Sequence, residues 1–292
     1  MPEPTTVVTL ADGRRLACDD VGDPAGHPVI YVHGTPDSRQ ARHPDDEVAS
    51  GLAVRLVAVD RPGFGHSSPD PGGTHGSFAA DVAALADELG LDRFALLGWS
   101  AGALPALACA ALLGERVTAV GVAAGLLPFA AYAEPGVLDD ADDSRVMLAD
   151  IGRELGPEAT AAELAPYLVP VPITPELARE HVLEGTEPVR RAEIESVPGA
   201  LDAMAAALVD SVQHGLAGIT RDIELQILPP DFALAAVACP VHLWYGALDS
   251  TAPPSFGHWY ESHLSAATLE VLDGAGHCFP LPRWADLLAA LR

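Results

Sequence analysis

Phe94-Ala95-Leu96-Leu97-Gly98-Trp99-Ser100-Ala101-Gly102-Ala103 is the stretch on which the fold of this 292-residue chain turns. Phe94 to Leu97 has the length and composition of a buried strand, and the small apolar residues after Gly102 have those of a helix. Between them, Gly98-Trp99-Ser100-Ala101-Gly102 fits G-x-S-x-G in its strand-to-helix context. Such a sharp turn forces the serine into a strained conformation, and glycine two positions to either side removes Cβ atoms that would collide. Ser100 is therefore a candidate nucleophile held out above a sheet. The N-terminus of a helix beginning at Ala101 would favour negative charge developing beside it. No charged residue occurs from Phe94 to Gly114, but Gly98, Ser100, Gly102 and Pro105 break the run, so it reads as strand plus helix and not as a membrane span.

The same alternation extends along the chain. Val29 to Val32, Arg55 to Val59, Val117 to Val122, Val241 to Tyr245 and Leu269 to Leu272 read as strands between helical, Ala-rich stretches, the pattern of a mostly parallel α/β sheet. Thr5 to Leu10 and Arg15 to Val21, joined through Asp12-Gly13, read as an antiparallel hairpin at the sheet edge. Phe78 to Leu89 and Trp284 to Leu291 carry apolar residues at helical spacing and should cover the sheet. Residues 128–236 differ: they are rich in Ala, Glu, Asp and Pro, helical in period and without a convincing strand. The chain thus divides into a first core part (1–127), an all-helical insertion (128–236) and a second core part (237–292), with Leu201 to Val209 as one packed helix of the insertion.

Two further motifs join Ser100. His33-Gly34-Thr35-Pro36 follows the Val29 to Val32 strand, where a loop amide can face the nucleophile; the backbone N–H groups of Thr35 and Ala101 are the candidate oxyanion donors. His33 itself reads as a structural side chain bonded to loop carbonyls. Gly274-Ala275-Gly276-His277 sits after the Leu269 to Leu272 strand, with small residues that let the imidazole reach the sheet's upper edge, and His277 is the candidate base. Asp249, after the Val241 to Tyr245 strand, is the candidate acid that orients it. Asp139 and Asp140 are the substitutes, in an acidic run that reads more simply as a solvated helix start. Trp99 is a candidate pocket residue. Cys278 is a weaker rival nucleophile, lacking a setting that would depress its pKa.

These motifs, in this order and spacing, make the chain resemble the α/β-hydrolase superfamily along nearly its whole length, particularly its capped members with an HG-x-P loop. The resemblance implies a mostly parallel eight-stranded sheet flanked by helices, with 128–236 as an inserted helical cap. Asp60-Arg61-Pro62-Gly63-Phe64-Gly65-His66-Ser67 is similar to that family's D-x-x-G-x-G-x-S segment, in which Arg61 and His66 read as packing or loop-bonding residues. Related epoxide hydrolases and haloalkane dehalogenases carry Asp where this chain has Ser100, which argues against both chemistries. The G-G-S-W-G form usual in proline iminopeptidases is not found here. Asp37 stands where the family often has Gly after HG-x-P, an extra carboxylate near the loop.

The implied activity is hydrolysis of an ester or thioester through an acyl-enzyme. The alternatives are a lyase, isomerase or cyclase of small-molecule biosynthesis on the same scaffold, or a ligand-binding receptor with a vestigial triad. Sixteen basic residues, all Arg, against 41 acidic ones leave a net charge of −25, a field that repels nucleic acid and anionic membranes and disfavours a polyanionic substrate. A helical cap closing a largely apolar pocket makes a small or medium, uncharged and largely apolar substrate the expectation. With 49% hydrophobic and 20% charged residues there is material for a core and no sign of disorder. Cys18, Cys109, Cys239 and Cys278 lack metal-ligand spacing, as do His258 and His263, so no metal or cofactor is expected. Reduced thiols and an N-terminus without signal-peptide character point to the cytoplasm. Oligomeric state is not legible.

Overall fold

The computed structural model describes residues 3–184 and 186–292. Its strands are β1 (Thr6–Thr9), β2 (Arg15–Gly22), β3 (His27–Val32), β4 (Val54–Val59), β5 (Phe94–Trp99), β6 (Val117–Ala123), β7 (Val241–Gly246) and β8 (Ala267–Leu272). They form one eight-stranded sheet in the order β1-β2-β4-β3-β5-β6-β7-β8. The hairpin β1–β2 pairs antiparallel, with Thr6 opposite Cys18 and Thr9 opposite Arg15, and β2 lies antiparallel on β4. From β4 onward every pairing is parallel.

All six residues of β5 are buried, as are the last four of β3 and the last five of β6, so helices must cover both faces of the sheet there. Edge strand β8 keeps mostly solvent-facing or half-covered residues. The covering helices are α1 (Glu47–Gly51), α2 (His75–Glu88) and α3 (Ala103–Leu113). Helix α2 begins at a capping box in which the Thr74 hydroxyl accepts from the Ser77 amide at 3.1 Å and Ser77 Oγ accepts from the Thr74 amide at 2.8 Å. The uncharged run from Phe94 is β5 followed by a single 3₁₀ turn, Ser100–Gly102, and then α3, which starts two residues later than the sequence suggests. No helix among the described residues is long and apolar enough to cross a membrane.

Between β6 and β7 the described chain holds no strand. It runs through α4 (Asp143–Leu155), α5 (Pro157–Leu168), α6 (Pro175–Leu183), α7 (Pro188–Glu195), α8 (Ala200–Ser211) and α9 (Ala217–Ile227) before the chain returns to α10 (Pro254–His263) and α11 (Trp284–Ala289). Leu201 with Ala203 to Val209 lies inside α8, the packed helix that this uncharged stretch suggests. These inserted helices build a small apolar core of their own from residues such as Leu148, Ala165, Leu208, Ile219 and Ile223. Phe64, from the loop after β4, is buried in that second core and so fastens the insertion to the sheet.

Candidate active site

Ser100 has φ 54°, the strained left-handed conformation expected of a side chain presented from a strand-to-helix turn. The flanking glycines are needed for close approach. A Cβ at Gly98 would stand 2.5 Å from the Gly102 carbonyl oxygen, and one at Gly102 would stand 2.2 Å from that of Val32. No other residue fits where β5, the turn and the end of β3 meet.

The loops after β7 and β8 bring Asp249 and His277 to this turn. His277 Nδ1 donates to Asp249 Oδ2 at 2.8 Å, and Ser100 Oγ lies 3.2 Å from His277 Nε2. The other Asp249 oxygen accepts from the amides of Thr251 and Ala252 at 2.9 and 3.0 Å, which holds the carboxylate in place. Asp139 and Asp140 are exposed in the turn before α4 and make no bond to His277. Burial pushes the Cys278 thiol up to about 12, so it stays protonated beside the imidazole.

The HG-x-P loop presses against the serine: a Cβ on Gly34 would lie 3.2 Å from Ser100 Cβ. Thr35 and Ala101 both line the cavity above Ser100. His33 is fully buried, accepts from the Arg61 amide at Nε2 (3.0 Å) and donates from Nδ1 to the Gly34 carbonyl (2.8 Å). Burial, with Arg61 nearby, holds its pKa well below the usual histidine range, and it is a neutral brace between two loops. Trp99 lines the cavity and donates from Nε1 to the His277 carbonyl at 3.1 Å, which fixes the base loop as well.

Other contributors have no local signal in the sequence. Glu193, on α7, accepts from the amides of Gly276 and Cys278 at 2.6 and 2.9 Å, gripping the chain on both sides of His277. Arg61 donates from Nη1 to Asp222 on α9 at 2.5 Å and from Nη2 to the Gly34 carbonyl at 2.7 Å and Thr35 Oγ1 at 2.6 Å; the Thr35 hydroxyl in turn bonds Asp222. Its guanidinium also lies 4.9 Å from the Phe64 ring centre. Glu193 and Asp222 stand among ordinary helix charges, and only their partners' positions distinguish them. The cavity itself measures about 590 Å³ and lies between the sheet's upper edge and the inserted helices, with Leu126, Leu148, Met204, Leu208 and Ile223 on its apolar side.

Comparison with known proteins agrees with this architecture. Residues 29–291 match the model of the alpha/beta hydrolase family. A proline iminopeptidase of Xylella fastidiosa is 31% identical over 121 residues, covering 38% of this chain and 36% of that protein. A non-heme chloroperoxidase of Streptomyces lividans is 38% identical over 98 residues, covering 32% of this chain and 35% of that protein, so the chain spans about a third of the length of these relatives. Among solved structures, the enol-lactonase of Burkholderia xenovorans superposes with a TM-score of 0.65 at 19% identity, covering 98% of this chain and 97% of that one; at that identity it speaks for the fold. Sheet order, inserted helices and a family match over nearly its whole length together place this chain in the alpha/beta hydrolase family.

Proposed function

We propose that the protein is a serine hydrolase that cleaves an ester or thioester of a small to medium molecule, with Ser100, His277 and Asp249 as nucleophile, base and orienting acid. The observation that carries this reading is the continuous hydrogen-bonded chain Asp249–His277–Ser100 under a cavity, with Ser100 at φ 54°. In the reaction the Ser100 Oγ–H proton passes to His277 Nε2 as Oγ bonds the acyl carbon, and the same proton leaves with the departing alcohol or thiol. Water then adds to the acyl carbon, gives its proton to His277, and the acid departs as Oγ recovers a proton. The Thr35 and Ala101 amides would receive the oxyanion in both steps. Residues 128–236 would act as the cap that excludes water, and the apolar side of the cavity would receive the acyl or alkyl part.

A fluorophosphonate probe, with mass mapping of the modified peptide, tests the assignment. Covalent addition at Ser100, absent in Ser100→Ala, is the expected outcome, together with turnover of para-nitrophenyl pentanoate that falls by about a thousandfold or more in the variant. Labelling that persists in Ser100→Ala, or a parent protein inert to every activated ester, would overturn the reading and favour non-hydrolytic chemistry on the same scaffold.

A further inference from the structure

The chain carries 41 acidic residues against 16 arginines, and its buried arginines are neutralised accordingly. Arg39 meets Asp19, Asp60 and Asp210; Arg61 meets Asp222; Arg42 meets Asp46; Arg55 meets Asp20. Among the described residues, only two buried or half-buried arginines have no carboxylate within ion-pair distance, Arg145 on α4 and Arg190 on α7. Both line the cavity above Ser100.

Arg145 is 9% exposed, its Nε is buried without a hydrogen-bond partner, and its bond from Nη1 is a long one, 3.4 Å to the neutral Gln226 Oε1. Asp142, the helix N-cap, directs its oxygens to the Arg145 amide, the Ser144 hydroxyl and the Thr251 hydroxyl instead of the guanidinium. Arg190 likewise leaves a buried Nε unbonded. Arg42 and Arg61 also leave Nε unbonded, but their terminal nitrogens are ion-paired. Carboxylates act on both only from a distance, Asp142 on Arg145 and Asp37 and Asp249 on Arg190, and a buried guanidinium with no carboxylate in contact is costly. Both side chains lie in the wall of the cavity that holds Ser100.

We infer that the cavity holds a carboxylate-binding subsite centred on Arg145, with Arg190 as a second positive charge, and that the substrate is an ester or thioester bearing a free carboxylate. The inference rests on the hydrolase reading and adds the charge of the substrate to it. The expectation of an uncharged, largely apolar substrate comes from reading the pocket under the cap as apolar, and Arg145 and Arg190 in its wall depart from that reading. Asp37 also lines the cavity, and burial pushes its carboxyl up to about 7, so at neutral pH it opposes an anion with only part of a charge.

The test compares the para-nitrophenyl monoester of glutarate with the pentanoate of the same phenol. The parent should favour the glutarate ester in kcat/KM by about tenfold or more, and Arg145→Met should lose about 10- to 100-fold on it while staying within about threefold on the pentanoate. Arg145→Lys should fall between the two. Free glutarate should bind Ser100→Ala by calorimetry, with binding lost in Ser100→Ala/Arg145→Met, and glutarate but not glutaramide should compete for the parent's cavity. Equal turnover of both esters, or glutarate binding that ignores Arg145 and is matched by glutaramide, would overturn the subsite. Arg145-dependent glutarate binding without cleavage of either ester would sustain the subsite and overturn the hydrolase reading instead.

Discussion

Asp37 shows how one side chain can set a pH dependence. It lies in the cavity wall with a carboxyl raised by burial from 3.8 to about 7, an effect that Arg190 and Arg61 only partly offset. Between those values the folded chain keeps a proton that the unfolded chain has lost, so the group draws stability down as pH rises from about 4 to about 7, and its effect is constant above that. Asp37→Asn removes this contribution. Its thermal midpoint should exceed the parent's at about pH 8 by more than at about pH 5, and a difference that does not change with pH would show that the carboxyl is not held protonated. Glu193 acts at the same scale but on the backbone, and its carboxylate fixes the segment from Gly276 to Cys278 from a helix about eighty residues earlier.

The turn joining β5 to α3 is an element whose geometry depends on what is missing from it. The Val32 carbonyl occupies the place a Cβ on residue 102 would need, at 2.2 Å, and backbone cannot retreat as a flexible side-chain end can. Gly102→Ala should therefore cost about 2 kcal/mol or more in denaturant unfolding and lower esterase activity further than stability alone predicts, because the displaced turn carries Ser100 with it. An alanine variant with parental unfolding and turnover would mean that the turn tolerates the shift. Helices α7 and α9 work as elements in a related way: each presents one buried carboxylate, Glu193 or Asp222, to a loop of the core that carries a site residue.

Across the whole molecule, the insertion and the sheet are joined through polar groups as well as apolar ones. Arg39 is fully buried and bonds Asp60 from the loop after β4, Asp19 from β2 and Asp210 from α8, while the Gln40 side chain also reaches Asp210. Burial raises the Asp60 carboxyl to about 6 even beside this cation. Replacing Arg39 by Met would leave three carboxylates without their shared counter-charge and should destabilise the fold by about 3 to 5 kcal/mol, measured by urea unfolding at neutral pH. A loss below about 0.5 kcal/mol would show that the network contributes nothing net to the junction.

All eight strands, the hairpin at the sheet edge and the helical character of the insertion follow from local pattern, because alternation, apolar runs and turn residues act over a few positions along the chain. The three residues of the hydrogen-bonded chain are legible for the same reason: each stands at a strand end with small residues beside it, and their order along the chain matches the order of the strands that carry them. What folding alone decided is which charges meet. Glu193 reaching the His277 loop, Asp222 closing on Arg61, and Arg145 and Arg190 left in the cavity wall with no carboxylate in contact are pairings across long stretches of chain, or the lack of them. Local sequence carries no term for such encounters, since any acidic helix residue can serve any arginine until packing excludes all but one.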